Sequence, residues 1–117
     1  MSFKILFMGT PYFSVPILKS LYHSKHKVIE VYTQPPQKKN RGQKVSFSAI
    51  HEYANEIKVS VRHPLTLKTP EEFEHIKKIK PDIVVVVAYG KIIPKSFLDL
   101  KNTMFINIHA SLLPKWR

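Results

Sequence analysis

No cysteine occurs in the chain, which excludes a disulfide framework, a thiolate metal site and a cysteine nucleophile. Glycine is nearly as scarce. The three present, Gly9, Gly42 and Gly90, lie too far apart for a G-x-G-x-x-G phosphate cradle, so a dinucleotide fold using nicotinamide or flavin is disfavoured. Long apolar runs are missing too. Ile5 to Met8 is too short for a signal peptide and meets the Gly9-Thr10-Pro11 turn at once, and no stretch approaches the ~20 residues of a membrane span. His23, His26, His51, His63 and His75 show no ligand spacing, so no metal is expected. Acidic residues are the last shortage: eight stand against nineteen lysines and arginines, a formal charge of +11. That balance implies an anionic partner. By itself it does not separate a nucleic acid from a solubility device.

What is present describes one folded domain. The 117 residues are 44% hydrophobic and 11% aromatic, a composition for a packed core in a chain short for a complete α/β enzyme. A soluble, cytoplasmic protein is expected.

Taken in order, Lys4 to Met8 is a short apolar run, the pattern of a buried parallel strand. Ser14 is placed to cap a helix with Pro16 in its first turn and Val15, Leu18, Leu21 and Tyr22 on one side. Val28 to Tyr32 is the second strand. Gln34 to Lys44 (QPPQKKNRGQK) is a loop by composition, with Lys38, Lys39, Arg41 and Lys44 gathered around Gly42. Ser46 or Ser48 caps the next helix, whose apolar side is Ile50, Tyr53, Ala54 and Ile57, and Val59 to Val61 is a brief third strand. Thr69-Pro70-Glu71-Glu72 starts a helix, with Thr69 as N-cap and Glu72 completing a capping box. Phe73, Ile76 and Ile79 form its buried side. Ile83 to Val87, one isoleucine and four valines, is the candidate central strand. Ala88-Tyr89-Gly90 then turns the chain, and Pro94 opens a short helix through Leu98.

The final stretch, MFINIHASLLPKWR, alternates Met104, Ile106 and Ile108 with Phe105, Asn107 and His109. A period-two strand puts Asn107 and His109 on one face, ~7 Å apart at Cα. An amide and an imidazole together at a strand's carboxyl end suit stabilisation of a developing oxyanion. Spacing alone favours the plainer reading, two polar residues on a half-exposed strand.

The NIHASLLPKWR string resembles the signature Asn-x-His-x-Ser-Leu-Leu-Pro-x-x-Arg-Gly of the folate-dependent formyltransferases. MGTPYFSVP, TQP with the following basic loop, and VVAYG resemble further segments of the branch that formylates methionyl-tRNA. The resemblance covers all 117 residues and stops one residue before the family's glycine. It implies an α/β, doubly wound, Rossmann-like parallel sheet truncated after the fifth strand, with strand order 3-2-1-4-5 and its crevice between strands 1 and 4. Residues 1–117 would be part of the amino-terminal domain, without the carboxyl-terminal tRNA-binding domain.

The implied chemistry is formyl transfer from 10-formyltetrahydrofolate to the methionine amino group of initiator methionyl-tRNA, without metal. By resemblance Asn107 and His109 are catalytic; Ser111, Leu112, Leu113, Pro114, Ala88, Tyr89 and Gly90 hold the folate; Lys38, Lys39, Arg41 and Lys44 meet the RNA. The family's third catalytic residue, an aspartate beyond the signature, has no counterpart here, and Asp82 and Asp99 are not substitutes. A partial site with little or no turnover is therefore expected, together with self-association through an uncovered fifth strand. Two rival readings stay open: a non-catalytic RNA- or folate-binding fragment, and a formyltransferase acting on a small amine such as glycinamide ribonucleotide. MGTP and the TQP loop argue against the latter.

Overall fold

The computed structural model describes residues 1–39 and 44–109. Its organising strand is β1 (Lys4–Gly9), with five of six residues buried. Consecutive side chains of a strand point to opposite faces, so the unbroken apolar run of β1 feeds two cores. Ile5 and Phe7 pack with Leu18 of α1 (Val15–Tyr22) and with Ile50 and Ala54 of α2 (Ala49–Glu56). Leu6 and Met8 pack with Ile76 of α3 (Pro70–Ile79) and Phe97 of α4 (Lys95–Leu98). Helices thus cover both faces, as a doubly wound α/β sheet requires.

The sheet contains β1, β2 (Lys27–Tyr32), β5 (Val61–Arg62), β6 (Ile83–Val87) and β7 (Met104–Asn107). All pairs are parallel, in the order β5-β2-β1-β6-β7. This is the 3-2-1-4-5 order expected from sequence, with one correction. Ile83 to Val87 is an interior strand and not the middle one; β1 holds that place, because β2 and β6 pair with its two edges.

Further expectations change. The Gln34–Lys44 segment is not all loop: β3 (Gln37–Lys39) and β4 (Lys44–Ser46) form an antiparallel hairpin pairing Gln37 with Ser46 and Lys39 with Lys44. Its polar sequence hid it, since backbone pairing rather than an apolar face makes the ladder. The third sheet strand is Val61–Arg62 rather than Val59–Val61. Ser14 makes no side-chain cap; its hydroxyl donates to the Pro11 carbonyl at 2.6 Å, because a turn of 3-10 helix (Tyr12–Ser14) already leads into α1. Tyr22 of that helix is exposed rather than part of its packed stripe.

At the start of α3, Thr69 accepts from the Glu72 amide, as a cap should. Glu72 does not complete a capping box. Its buried carboxylate takes Nε and Nη2 of Arg62 at 3.1 and 2.8 Å and the Tyr32 hydroxyl at 2.7 Å. Burial raises the Glu72 pKa, but the hydrogen bonds from Arg62 and Tyr32 outweigh it and the net shift is downward. Beside this trio, Glu30 receives the Ser60 hydroxyl at 2.8 Å and meets His75 Nε2 at 2.6 Å. These bonds fasten β5, only two residues long, and α3 to β2.

Candidate active site

Where strand order reverses, a cavity opens at the carboxyl ends of the strands. Its volume is about 640 Å³ and its described lining comprises Phe13, Val86, Ala88, Tyr89, Gly90, Lys91, Ile93, Leu98, Phe105, Asn107, Ile108 and His109. Asn107 ends β7, opposite Val86 of β6, and His109 follows two residues later. The backbone amide of the intervening Ile108 donates to the Val86 carbonyl at 2.8 Å, so the chain stays against β6 beyond the last strand residue. Both side chains are exposed toward solvent and line the cavity, one wall of which is the Ala88–Gly90 turn.

That turn is conformationally demanding. Ala88 sits at φ 51° and Gly90 at φ 86°, values that ordinary side chains disfavour and glycine adopts freely. An added Cβ at position 90 would also lie 2.0 Å from Gln34 Nε2, so a side chain there would displace the end of Gln34. Tyr89 between them points inward, 1% exposed, into the core with Leu6, Met8 and Phe97. Its hydroxyl has no partner among the described residues, and burial, reinforced by the Glu72 charge, pushes its pKa well up. Of the folate-loop residues expected from sequence, Ala88, Tyr89 and Gly90 therefore line the same cavity as Asn107 and His109. Ser111, Leu112, Leu113 and Pro114 lie outside the described residues.

Gly9, at the end of β1, is also fixed by space: a Cβ would meet the Val87 carbonyl at 2.9 Å and the Phe7 ring at 2.7 Å. The close approach brings Thr10 to the turn, where its hydroxyl donates to the Tyr89 carbonyl at 2.9 Å. On the far side of this contact lies a second cavity of about 370 Å³, lined by Thr10, Pro11, Gln34, Pro35, Gln37, Ser46, Phe47, Ser48 and Ala49. The hairpin that carries the basic residues forms part of its wall. Lys38 is exposed in β3 and Lys44 in β4; Lys39 belongs to β3, and Arg41 lies outside the described residues.

Several lining residues escaped the sequence reading. Phe105 shares its strand face with Asn107, so the period-two pattern was sufficient to find it. Phe13, Lys91, Ile93 and Leu98 come from connections whose position only the fold supplies. Among the described residues, no group of three or more His, Cys, Asp or Glu side chains is placed to hold a metal. No described helix is long and apolar enough to cross a membrane.

A family model described as formyl transferase matches residues 3–117. The chain is similar to the methionyl-tRNA formyltransferase of Pelagibacter ubique (strain HTCC1062), at 57% identity over 118 aligned positions covering 100% of this chain and 38% of that protein. It is 50% identical over 115 positions to the methionyl-tRNA formyltransferase of Francisella tularensis subsp. novicida (strain U112), covering 97% of this chain and 37% of that protein. The chain thus spans well under half the length of the curated relatives it matches.

Proposed function

The chain belongs to the formyl transferase family, and on that premise we propose that it contributes the reaction centre of a one-carbon transferase moving a formyl group from 10-formyltetrahydrofolate to the amino group of methionine on initiator tRNA. The observation that carries this reading is the meeting of Asn107 and His109 with the Ala88–Gly90 turn around one cavity. A volume of about 640 Å³ falls within the range of sites that enclose drug-sized ligands. Phe13, Ile93, Leu98 and Phe105 offer apolar surface to a flat ring. The 88–90 backbone offers amides and carbonyls that a pteridine edge can use.

In the transfer, the amine nitrogen attacks the formyl carbon, and the bond from that carbon to the donor's nitrogen breaks. The donor nitrogen gains a proton and the amine nitrogen loses one. Negative charge grows on the formyl oxygen on the way. The Asn107 side-chain amide and an N–H of the His109 imidazole donate to that oxygen, and donors fixed in advance lower the barrier without reorganising. Exposed Lys38 and Lys44, with Lys39 and Arg41 between them in sequence, supply cations for phosphates of the acceptor RNA. The setting is the cytoplasm, where initiator tRNA is charged.

The test is formylation of methionyl-tRNA by the complete gene product. Asn107→Ala and His109→Ala should each lower the rate by about 10² to 10³, the usual effect of losing one oxyanion donor. Wild-type rates in both variants would sink the assignment of these residues. Transfer to glycinamide ribonucleotide but not to methionyl-tRNA would sink the choice of acceptor.

A further inference from the structure

The Tyr89 carbonyl is gripped from outside the first cavity. It accepts the Thr10 hydroxyl at 2.9 Å and Gln34 Nε2 at 3.3 Å. Thr10 and Gln34 line the second cavity, not the first. Gln34 also fills the space that a side chain at position 90 would take: the three atoms nearest an added Cβ all belong to it.

Thr10 is itself held by a chain of hydroxyls. It gives its single proton to Tyr89, so it accepts from the Thr33 hydroxyl at 3.5 Å and the Gln34 amide at 3.3 Å. Thr33 shares a 2.6 Å hydrogen bond with Ser48, and Ser48 caps α2 by accepting the His51 amide at 2.9 Å. Residues 34 and 48 are the two roots of the basic hairpin, one before β3 and one after β4. One root, Gln34, thus reaches the Tyr89 carbonyl directly, and the other, Ser48, reaches it only through Thr33 and Thr10, in the turn that walls the first cavity.

We propose that Gln34 and Thr10 are positioning residues that set the Ala88–Gly90 turn, so that the shape of the formyl-donor pocket depends on where the hairpin's roots sit. The inference rests on the donor pocket being the first cavity. Its physical core is independent of that reading: the left-handed backbone at Ala88 and Gly90 relaxes toward commoner conformations unless the carbonyl between them is held. RNA drawn onto the hairpin would then alter donor affinity, and the donor would alter RNA affinity by the same factor.

The experiment uses the complete gene product with Gln34→Glu and Thr10→Val, which keep size but cannot donate to Tyr89, and Thr10→Ser, which restores the hydroxyl. Amide hydrogen exchange of residues 88–91 is measured without ligand, and KM and kcat are measured with 10-formyltetrahydrofolate. Loss of one such bond should speed exchange and raise the donor KM by about ten-fold, with a smaller change in kcat, while Thr10→Ser stays near wild type. Unchanged exchange at 88–91 in both donor-less variants overturns the proposal whatever the kinetics show. Equal damage from Thr10→Ser and Thr10→Val also overturns it. Should the wild-type protein transfer no formyl group, the functional reading fails, and exchange alone decides the positioning role.

Discussion

Replacing Gly90 by alanine isolates the contact between the hairpin root and the turn. At φ 86° an alanine carries a left-handed penalty of about 1–2 kcal/mol. Its Cβ would also lie 2.0 Å from Gln34 Nε2, so Gln34 must swing away and release the Tyr89 carbonyl, costing about 1 kcal/mol more. Gly90→Ala should thus destabilise by roughly 2–3 kcal/mol and Gln34→Ala by roughly 1 kcal/mol. The double variant should be no worse than Gly90→Ala, because the three atoms nearest the new Cβ belong to the glutamine just removed. The cycle therefore yields a coupling of about 1 kcal/mol, measurable from urea midpoints at constant slope. Additivity within about 0.5 kcal/mol would mean that the two residues do not share this contact and would refute the reasoning.

The Glu72 trio gives a pH-dependent prediction. A carboxyl whose folded pKa is depressed contributes stability above its unfolded value, near 4.3, and loses it as pH falls through the folded value. Arg62 is about one-third exposed, so Glu72→Gln should cost roughly 2–3 kcal/mol at pH 7, below the range for a fully buried pair. The gap from wild type should narrow by pH 3 in parallel urea titrations; a gap that widens on acidification would reverse the assigned sign. On the hairpin, Lys38→Ala or Lys44→Ala should reduce the slope of log affinity for duplex RNA against log salt by about 0.9 each. Anisotropy titrations at several salt concentrations measure this, and unaltered slopes would remove these lysines from the interface.

Sequence revealed those features that short stretches determine. Ile5–Met8 and Ile83–Val87 read as buried strands because unbroken apolar runs meet turn residues, and Phe105-Ile106-Asn107 shows its two faces by alternation. The same runs could not say which strand is central, since β1 and β6 are both buried on two faces. Glu72 looked like half of a capping box because the rule is local; its partners lie 10 and 40 residues away. The grip on Tyr89 joins residues separated by 79 and 55 positions. No window along the chain contains it. The β3–β4 hairpin stayed hidden for a different reason, its described side chains being mostly exposed and leaving no apolar alternation to read.

The central place of β1 has a consequence for the chain as it is made. β1 leaves the ribosome long before the strand that pairs with its second edge. Its register with β6 joins Ile5 to Ile83 and Gly9 to Val87, closed by the Lys4 amide on Asp82 at 2.8 Å. At about 5–20 residues per second, the intervening stretch takes roughly 4–16 s to synthesise. Once β2 is made, Leu6 and Met8 have it beside them but still lack Val84 and Val86 to pack against. The nascent chain thus presents a half-paired apolar strand for seconds, a natural target for chaperones that shield emerging polypeptides.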